Sequence, residues 1–199
     1  MTHPKPPEGG DTAIDPYQLR KQLRQQRRDL DPEQQRLAKN RLSKKLTCSP
    51  VFQRSRHIAF YIPSDGEIDP TPVMEESWKR KKICYLPVLT PLFRKLLFVR
   101  FNFGDELILN KFGIPEPNPF INRCIPPWAL DLVITPLVAF DAKGSRLGMG
   151  GGYYDRSFAF LKQARTKKPT MLGVAHRFQK QEGLAKQPWD IPLDEVITD

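Results

Sequence analysis

The period of apolar and polar positions changes several times along the chain, and each change predicts an element. In YQLRKQLRQQRRDL, Leu19 and Leu23 lie one turn apart, and Arg20, Arg24, Arg27 and Arg28 form a neighbouring stripe. With Asp15 as N-cap and Pro16 as first helical residue, this reads as an amphipathic helix with one cationic face. Asp31-Pro32-Glu33-Gln34 repeats the start signal, with Gln34 placed for a capping box, and Leu37, Ala38, Leu42 and Leu46 make a second apolar stripe. Two helices are therefore expected before the first strand.

Beyond them the period shortens. HIAFYI (57–62) and KICYLPVL (82–89) read as strands, separated by a helix that opens at Asp69-Pro70 and runs to about Lys81. KLLFVRF (95–101) is a further strand, and residues 103–127, rich in proline, read mostly as loop bordering a ligand. DLVITPLVAF (131–140) is nearly uniformly apolar, as expected of a strand covered on both faces, and a glycine-rich loop follows it. YYDRSFAFLKQAR then has helical spacing, and TMLGVAH (170–176) returns to strand character. The alternation predicts an α/β fold with a largely parallel central sheet flanked by helices, a Rossmann-like three-layer arrangement preceded by two N-terminal helices. Ligands in such folds gather at the carboxyl ends of strands.

Length and composition narrow the class. The 199 residues suit one domain over residues 16–199, after a tail, residues 1–15, whose proline and glycine content predicts disorder. Cys48, Cys84 and Cys124 match neither a disulfide framework nor a zinc site, and reduced thiols favour the cytoplasm. No leader pattern and no apolar run of roughly 20 residues is present, so no membrane role is expected. His3, His57 and His176 show no metal spacing and read as structural.

The net charge of +10 is concentrated, since residues 20–45 hold ten lysines or arginines against three acids. Nucleic-acid binding is the alternative this raises, but no RNA- or DNA-binding motif accompanies it and aromatics are not interleaved with the basic run. Small anionic substrates are the favoured partners.

The chemistry concentrates in GSRLGMGGGYYDR (144–156), which holds five of the chain's 12 glycines. A strand, a glycine-rich loop and a helix start together favour an anion, because backbone N–H groups can turn inward and approach a phosphate. Arg146 adds a full charge, and Asp155 is placed to take a magnesium ion bridging nucleotide phosphates, so MgATP is the natural candidate. A tight turn without ligand is the plain alternative. No Gly-Lys-Ser/Thr ends the loop and the GxGxxG register is missing, so neither common nucleotide loop applies.

FDAKGSRLGMGGGYYDR (140–156) resembles the signature of the 5-formyltetrahydrofolate cyclo-ligases, and the likeness extends to LRKQLRQQRRDL, AFYIPSDGEID, GIPEP (113–117) and PLDEVITD. The resemblance implies an ATP-dependent conversion of 5-formyltetrahydrofolate to 5,10-methenyltetrahydrofolate with release of ADP and phosphate; a monomer is expected. It implies ATP binding by Arg20, Arg24, Arg146, Leu147, Gly148, Met149, Gly150, Gly151, Gly152, Tyr153 and Tyr154, with Arg146 and Tyr154 catalytic. Folate contacts are implied for Glu67, Phe112, Met149, Gly150, Gly151, Gly152 and Tyr153, and magnesium ligation for Asp155 and Asp194. At least one of the two tyrosines is expected to pack in the core. Met149 and Gly151 stand where some members carry basic residues. A polyglutamate tail on the folate is a further use for the surplus positive charge.

Overall fold

The computed structural model describes residues 15–90, 92–110, 113–163 and 169–199, so Phe112 and residues 1–14 of the expected tail lie outside the described residues. Helix α1 spans Pro16–Arg28 and α2 spans Pro32–Cys48. Asp15 accepts the Tyr17 N–H at 3.0 Å, and Pro16 occupies a first-turn position that has no intrahelical use for a donor. The capping box of α2 forms in full: the Gln34 N–H donates to Asp31 Oδ1 at 2.8 Å, and the Asp31 N–H donates to Gln34 Oε1 at 3.0 Å. Ala38, Leu42 and Leu46 are buried as the stripe predicts, whereas Leu37 is exposed at its margin. A third, one-turn helix, α3 (Pro50–Arg54), also precedes the first strand. It is too short for helical periodicity to register in the sequence.

Strand β1 (His57–Ala59), helix α4 (Thr71–Lys79) and strand β2 (Ile83–Thr90) form a parallel strand, helix, strand unit in which Ile58 pairs with Cys84. β3 (Lys95–Arg100) returns antiparallel to β2. The stretch expected to be mostly loop contains three short strands, β4 (Leu107–Leu109), β5 (Pro115–Pro117) and β6 (Cys124–Ile125). β4 and β5 form a separate hairpin, and β6 caps the edge of β3.

The apolar run 131–140 is not one strand. β7 (Leu132–Pro136) ends where proline has no N–H to continue a ladder. The chain then forms β8 (Ala139–Phe140), which pairs antiparallel with β9 (Arg146–Leu147), so a small hairpin separates the sheet from the glycines. The following helix, α5, covers only Tyr153–Ser157 before a 3-10 turn over Ala159–Lys162. β10 (Thr170–Ala175) and β11 (Glu195–Thr198) complete the sheet.

Strand order is β11-β10-β7-β1-β2-β3-β6, parallel through the first five. Both faces are covered, which explains the uniform apolarity of β7: Leu132 and Ile134 join the core beneath α2 and α4, and Val133 joins the opposite core with Phe158. From β1 the chain steps to β2 on one side, and later to β7 on the other. The connections leaving the carboxyl ends of β1 and β7 therefore diverge and leave a crevice between them, the usual ligand position in such sheets. One connection carries residues 65–67, and the other carries the glycine loop.

Candidate active site

Helix α1 lies across this crevice. Leu19 and Leu23 pack on Val138 and Ala139, with Leu147 at the border of the cluster. Arg27, expected on the cationic face, is fully buried instead. Residues 19, 23 and 27 are spaced by four, so Arg27 continues the leucine stripe while Arg20, Arg24 and Arg28 form the adjacent one. Its guanidinium donates to Asp65 Oδ2 at 2.8 Å and to the Leu137 carbonyl at 3.3 Å, and lies 3.8 Å from Glu67 Oε1. Arg24 and Arg28 converge on the same Asp65 carboxylate, at 2.6 and 2.7 Å. Partial burial pushes the Asp65 carboxyl up, but hydrogen bonds from Arg24, Arg28 and Arg27 outweigh it and bring the group down to about 2. Arg20 reaches elsewhere, its Nε donating to the Gly148 carbonyl at 2.8 Å.

The β1 connection is pressed against the end of α1. Gly66 has φ +73°, and a Cβ there would sit 2.6 Å from the Arg27 carbonyl oxygen, so glycine is required twice over. The Gly66 carbonyl accepts from Gln35 Nε2 and from the His176 ring, both at 3.2 Å. Glu67, with its side chain only 9% exposed, accepts the Ser64 N–H at 3.1 Å. Burial pushes its carboxyl above the usual range, while Arg27 and the Ser64 N–H oppose the rise. Tyr61, buried beside it, donates to the Ile68 carbonyl. Its hydroxyl is pushed well up by burial and then by Glu67.

Across the crevice, the glycine run 148–152 has no regular structure, and Gly150 and Gly152 have positive φ. Met149 is 53% exposed. Arg146 is not free at the loop entrance: it donates to Asp155 Oδ1 at 2.6 Å and to the Ile191 carbonyl, and the Ile191 N–H donates back to Asp155 Oδ1 at 3.0 Å. Two residues implied to meet phosphate and metal thus form a closed unit with the 191 backbone. Tyr153 and Tyr154 both pack against the core. Burial pushes the Tyr154 hydroxyl far up, Glu67 adds to the rise and Arg146 opposes it, so this tyrosine senses both walls of the crevice. With α5 only five residues long, the anion affinity expected from a helix start falls mainly to the loop itself.

Residues 14–199 match the description "5-formyltetrahydrofolate cyclo-ligase family". The chain belongs to this family. It is 40% identical to the 5-formyltetrahydrofolate cyclo-ligase of Escherichia coli K12 over 177 residues, 88% of this chain and 96% of that protein. The Haemophilus influenzae cyclo-ligase is 36% identical over 181 residues, covering 90% and 95% of the two chains. The solved structure of Aquifex aeolicus 5,10-methenyltetrahydrofolate synthetase superposes with a TM-score of 0.77 at 35% identity, over 91% of this chain and 88% of the other.

In this cyclo-ligase fold the crevice brings together Arg20, Arg24, Glu67, Arg146, Tyr154 and the glycine run. Asp194 faces different surroundings. Its Oδ2 accepts the Met171 N–H at 2.8 Å near the start of β10, and it lines a cleft of about 640 Å³ with Gly144, Lys143, Arg177 and Lys180. That cleft shares no lining residue with the space around Glu67. Among the described residues no cluster of three or more His, Cys, Asp or Glu side chains could hold a metal ion. Sequence reasoning passed over Asp65 and Tyr61 and placed Arg27 on the exposed cationic face. The spacing of four from Leu23 could have revealed Arg27, but Asp65 meets partners 37 to 41 residues away and leaves no local signal.

Proposed function

We propose that the protein converts 5-formyltetrahydrofolate to 5,10-methenyltetrahydrofolate at the expense of ATP, releasing ADP and phosphate. The observation that carries this reading is the meeting of α1 with both crevice walls, through Arg20 on Gly148 and through Arg24 and Arg27 on the 65–67 connection. It places a basic helix, a glycine run and a sheltered carboxylate around one opening.

The formyl oxygen is a poor leaving group. Its phosphorylation by ATP makes it a good one, the second folate nitrogen attacks the activated carbon, and phosphate departs as the ring closes. The protein's task is alignment and charge neutralisation, with no covalent intermediate on a side chain. Arg20, Arg24 and the amides of residues 147–154 serve the polyphosphate. Arg146, oriented by Asp155, neutralises charge at the transferred group, with the Tyr154 hydroxyl as a further hydrogen-bond donor. Glu67 accepts hydrogen bonds from the folate, which borders Met149, Gly150, Gly151, Gly152 and Tyr153. Phe112 is retained as a stacking group outside the described residues.

Magnesium is part of the proposal. Asp155 Oδ1 and Asp194 Oδ2 are taken by protein donors, and each side chain retains a second oxygen. Magnesium commonly takes one or two carboxylates, with phosphates and waters filling its shell. The second Asp155 oxygen therefore fits an ion arriving with ATP, where it would neutralise phosphate charge, whereas Asp194 lines the separate cleft and is kept in the proposal as the ligand the resemblance implies.

A monomer built on residues 16–199 is part of the proposal. The cysteine pattern supports a cytoplasmic location. Among the described residues no helix is long and apolar enough to cross a membrane. Nucleic-acid binding is disfavoured because no RNA- or DNA-binding motif accompanies the basic run.

Mixing the protein with MgATP and 5-formyltetrahydrofolate should give ATP-dependent growth of methenyltetrahydrofolate absorbance, and no growth with folded protein would sink the reading. Arg146→Ala and Asp155→Ala should each lower kcat by roughly 100-fold while circular dichroism stays native. Wild-type kinetics in both would show that the site is misplaced.

A further inference from the structure

Arg27 has no part in the roles above, yet it is the one fully buried guanidinium among the described residues. Burying an arginine is costly unless every donor is paired. Here Nε has no partner among the described residues, and the contact with Leu137 is long at 3.3 Å. Leucine or methionine would extend the stripe of Leu19 and Leu23 without that cost. What arginine adds is contact with the β1 connection: Asp65 at 2.8 Å and Glu67 Oε1 at 3.8 Å. The other Glu67 oxygen takes the Ser64 N–H. The carboxylate is thus held from two sides, with Arg27 supplying the charge.

We propose that Arg27 is a positioning residue for the folate site, its buried guanidinium setting the direction and charge of the Glu67 carboxylate. The inference rests on the reading of Glu67 as a folate-accepting group, and Arg27 itself touches no substrate. The groups facing Glu67 are Arg27 from α1, Tyr61, Ser64 and Asp65 from its own connection, Tyr154 from α5, and Gln179 beyond β10. Arg27 is the cation that opposes the effect of burial on Glu67. Its loss leaves burial and Asp65 acting together, so the carboxylate form persists only at higher pH.

The test compares kcat and KM for the full-length wild type, Arg27→Lys, Arg27→Met, Glu67→Gln and the double variant Arg27→Met/Glu67→Gln. Each is assayed where circular dichroism shows it folded. Arg27→Met should raise KM for 5-formyltetrahydrofolate about fivefold, the scale of one ion pair at 3.8 Å, and leave KM for ATP within about twofold. The acid limb of kcat/KM for the folate should move to higher pH. Arg27→Lys, which keeps the charge and loses the fork, should return the limb and only part of KM. In the Glu67→Gln background, Arg27→Met should change neither quantity further.

Equal losses for both substrates, or an unmoved acid limb in folded Arg27→Met, would overturn the proposal. If Arg27→Met does not fold, Arg27→Lys decides alone: KM for the folate must rise while KM for ATP does not. A wild type that fails to cyclise 5-formyltetrahydrofolate removes the functional reading and this inference together. An active wild type with insensitive Arg27 variants removes only the inference.

Discussion

Helices α1 and α2 resemble each other in sequence and differ in what holds them. Both open on Asp-Pro, both are basic, and both repeat apolar residues at a spacing of four. α2 drives Ala38, Leu42 and Leu46 into the core shared with α4 and the sheet. α1 buries two leucines in a small cluster, and the rest of its hold is polar: the Gly148 and Leu137 carbonyls and the Asp65 carboxylate. A helix held by core packing can leave only with the fold, whereas one held by hydrogen bonds to two loops can respond to what those loops bind. The difference suits α2 to scaffold duty, and under the proposed function it leaves the ligand duty to α1.

Substitutions in the two helices should therefore fail in different ways. The largest effect is expected for Leu42→Ala, which should cost about 3 kcal/mol in urea denaturation and leave both KM values of the folded enzyme unchanged. A comparable loss of substrate affinity there would erase the distinction. Asp65→Asn should follow, at about 1–2 kcal/mol near neutral pH after allowance for its partial exposure. Because the folded carboxyl lies below its ordinary value of 3.8, at about 2, the stability it contributes is present above pH 3.8 and is lost as pH falls toward 2. Across that window the wild-type melting temperature should drop more than that of Asp65→Asn. Parallel curves would show that the three arginines contribute nothing through this carboxylate.

Arg24→Ala should raise KM for ATP roughly tenfold with a smaller change in melting temperature than Leu42→Ala, sharpening the contrast from the α1 side. The smallest effect belongs to α2's outer face. Glu33 and Arg36 pair at 2.6 Å but are 60% and 59% exposed, so Glu33→Gln should leave both melting temperature and kinetics within error.

The elements governed by local chemistry were legible in the sequence. The Asp15 cap, the Asp31–Gln34 box and the two-sided burial of β7 follow from residues close together in the chain. Pro136 was visible as well, but the apolar run past it concealed a turn out of the sheet, because Val138 and Ala139 are buried by α1 rather than by the sheet. The glycine run and Glu67 could be singled out as chemistry, but the partners of Arg146 and Asp155 could not. Each is a good ligand for a nucleotide complex when considered alone, and only the approach of the 191 backbone reveals that they bind each other. Arg27 was misread because a basic residue beside others suggests a wet surface, and composition outweighed spacing.

Arg24 and Arg28 share the single Asp65 carboxylate and stay partly exposed, which leaves positive charge in excess at the mouth of the crevice, and the nearby Arg20 adds to it. A multiply charged anion diffusing past such a mouth is drawn toward it before any contact forms. The encounter rate with ATP should accordingly slow as ionic strength rises and the Debye length contracts, even where the equilibrium contacts of the bound nucleotide are unchanged. The cluster that anchors α1 would then also set how fast the enzyme captures its most highly charged substrate.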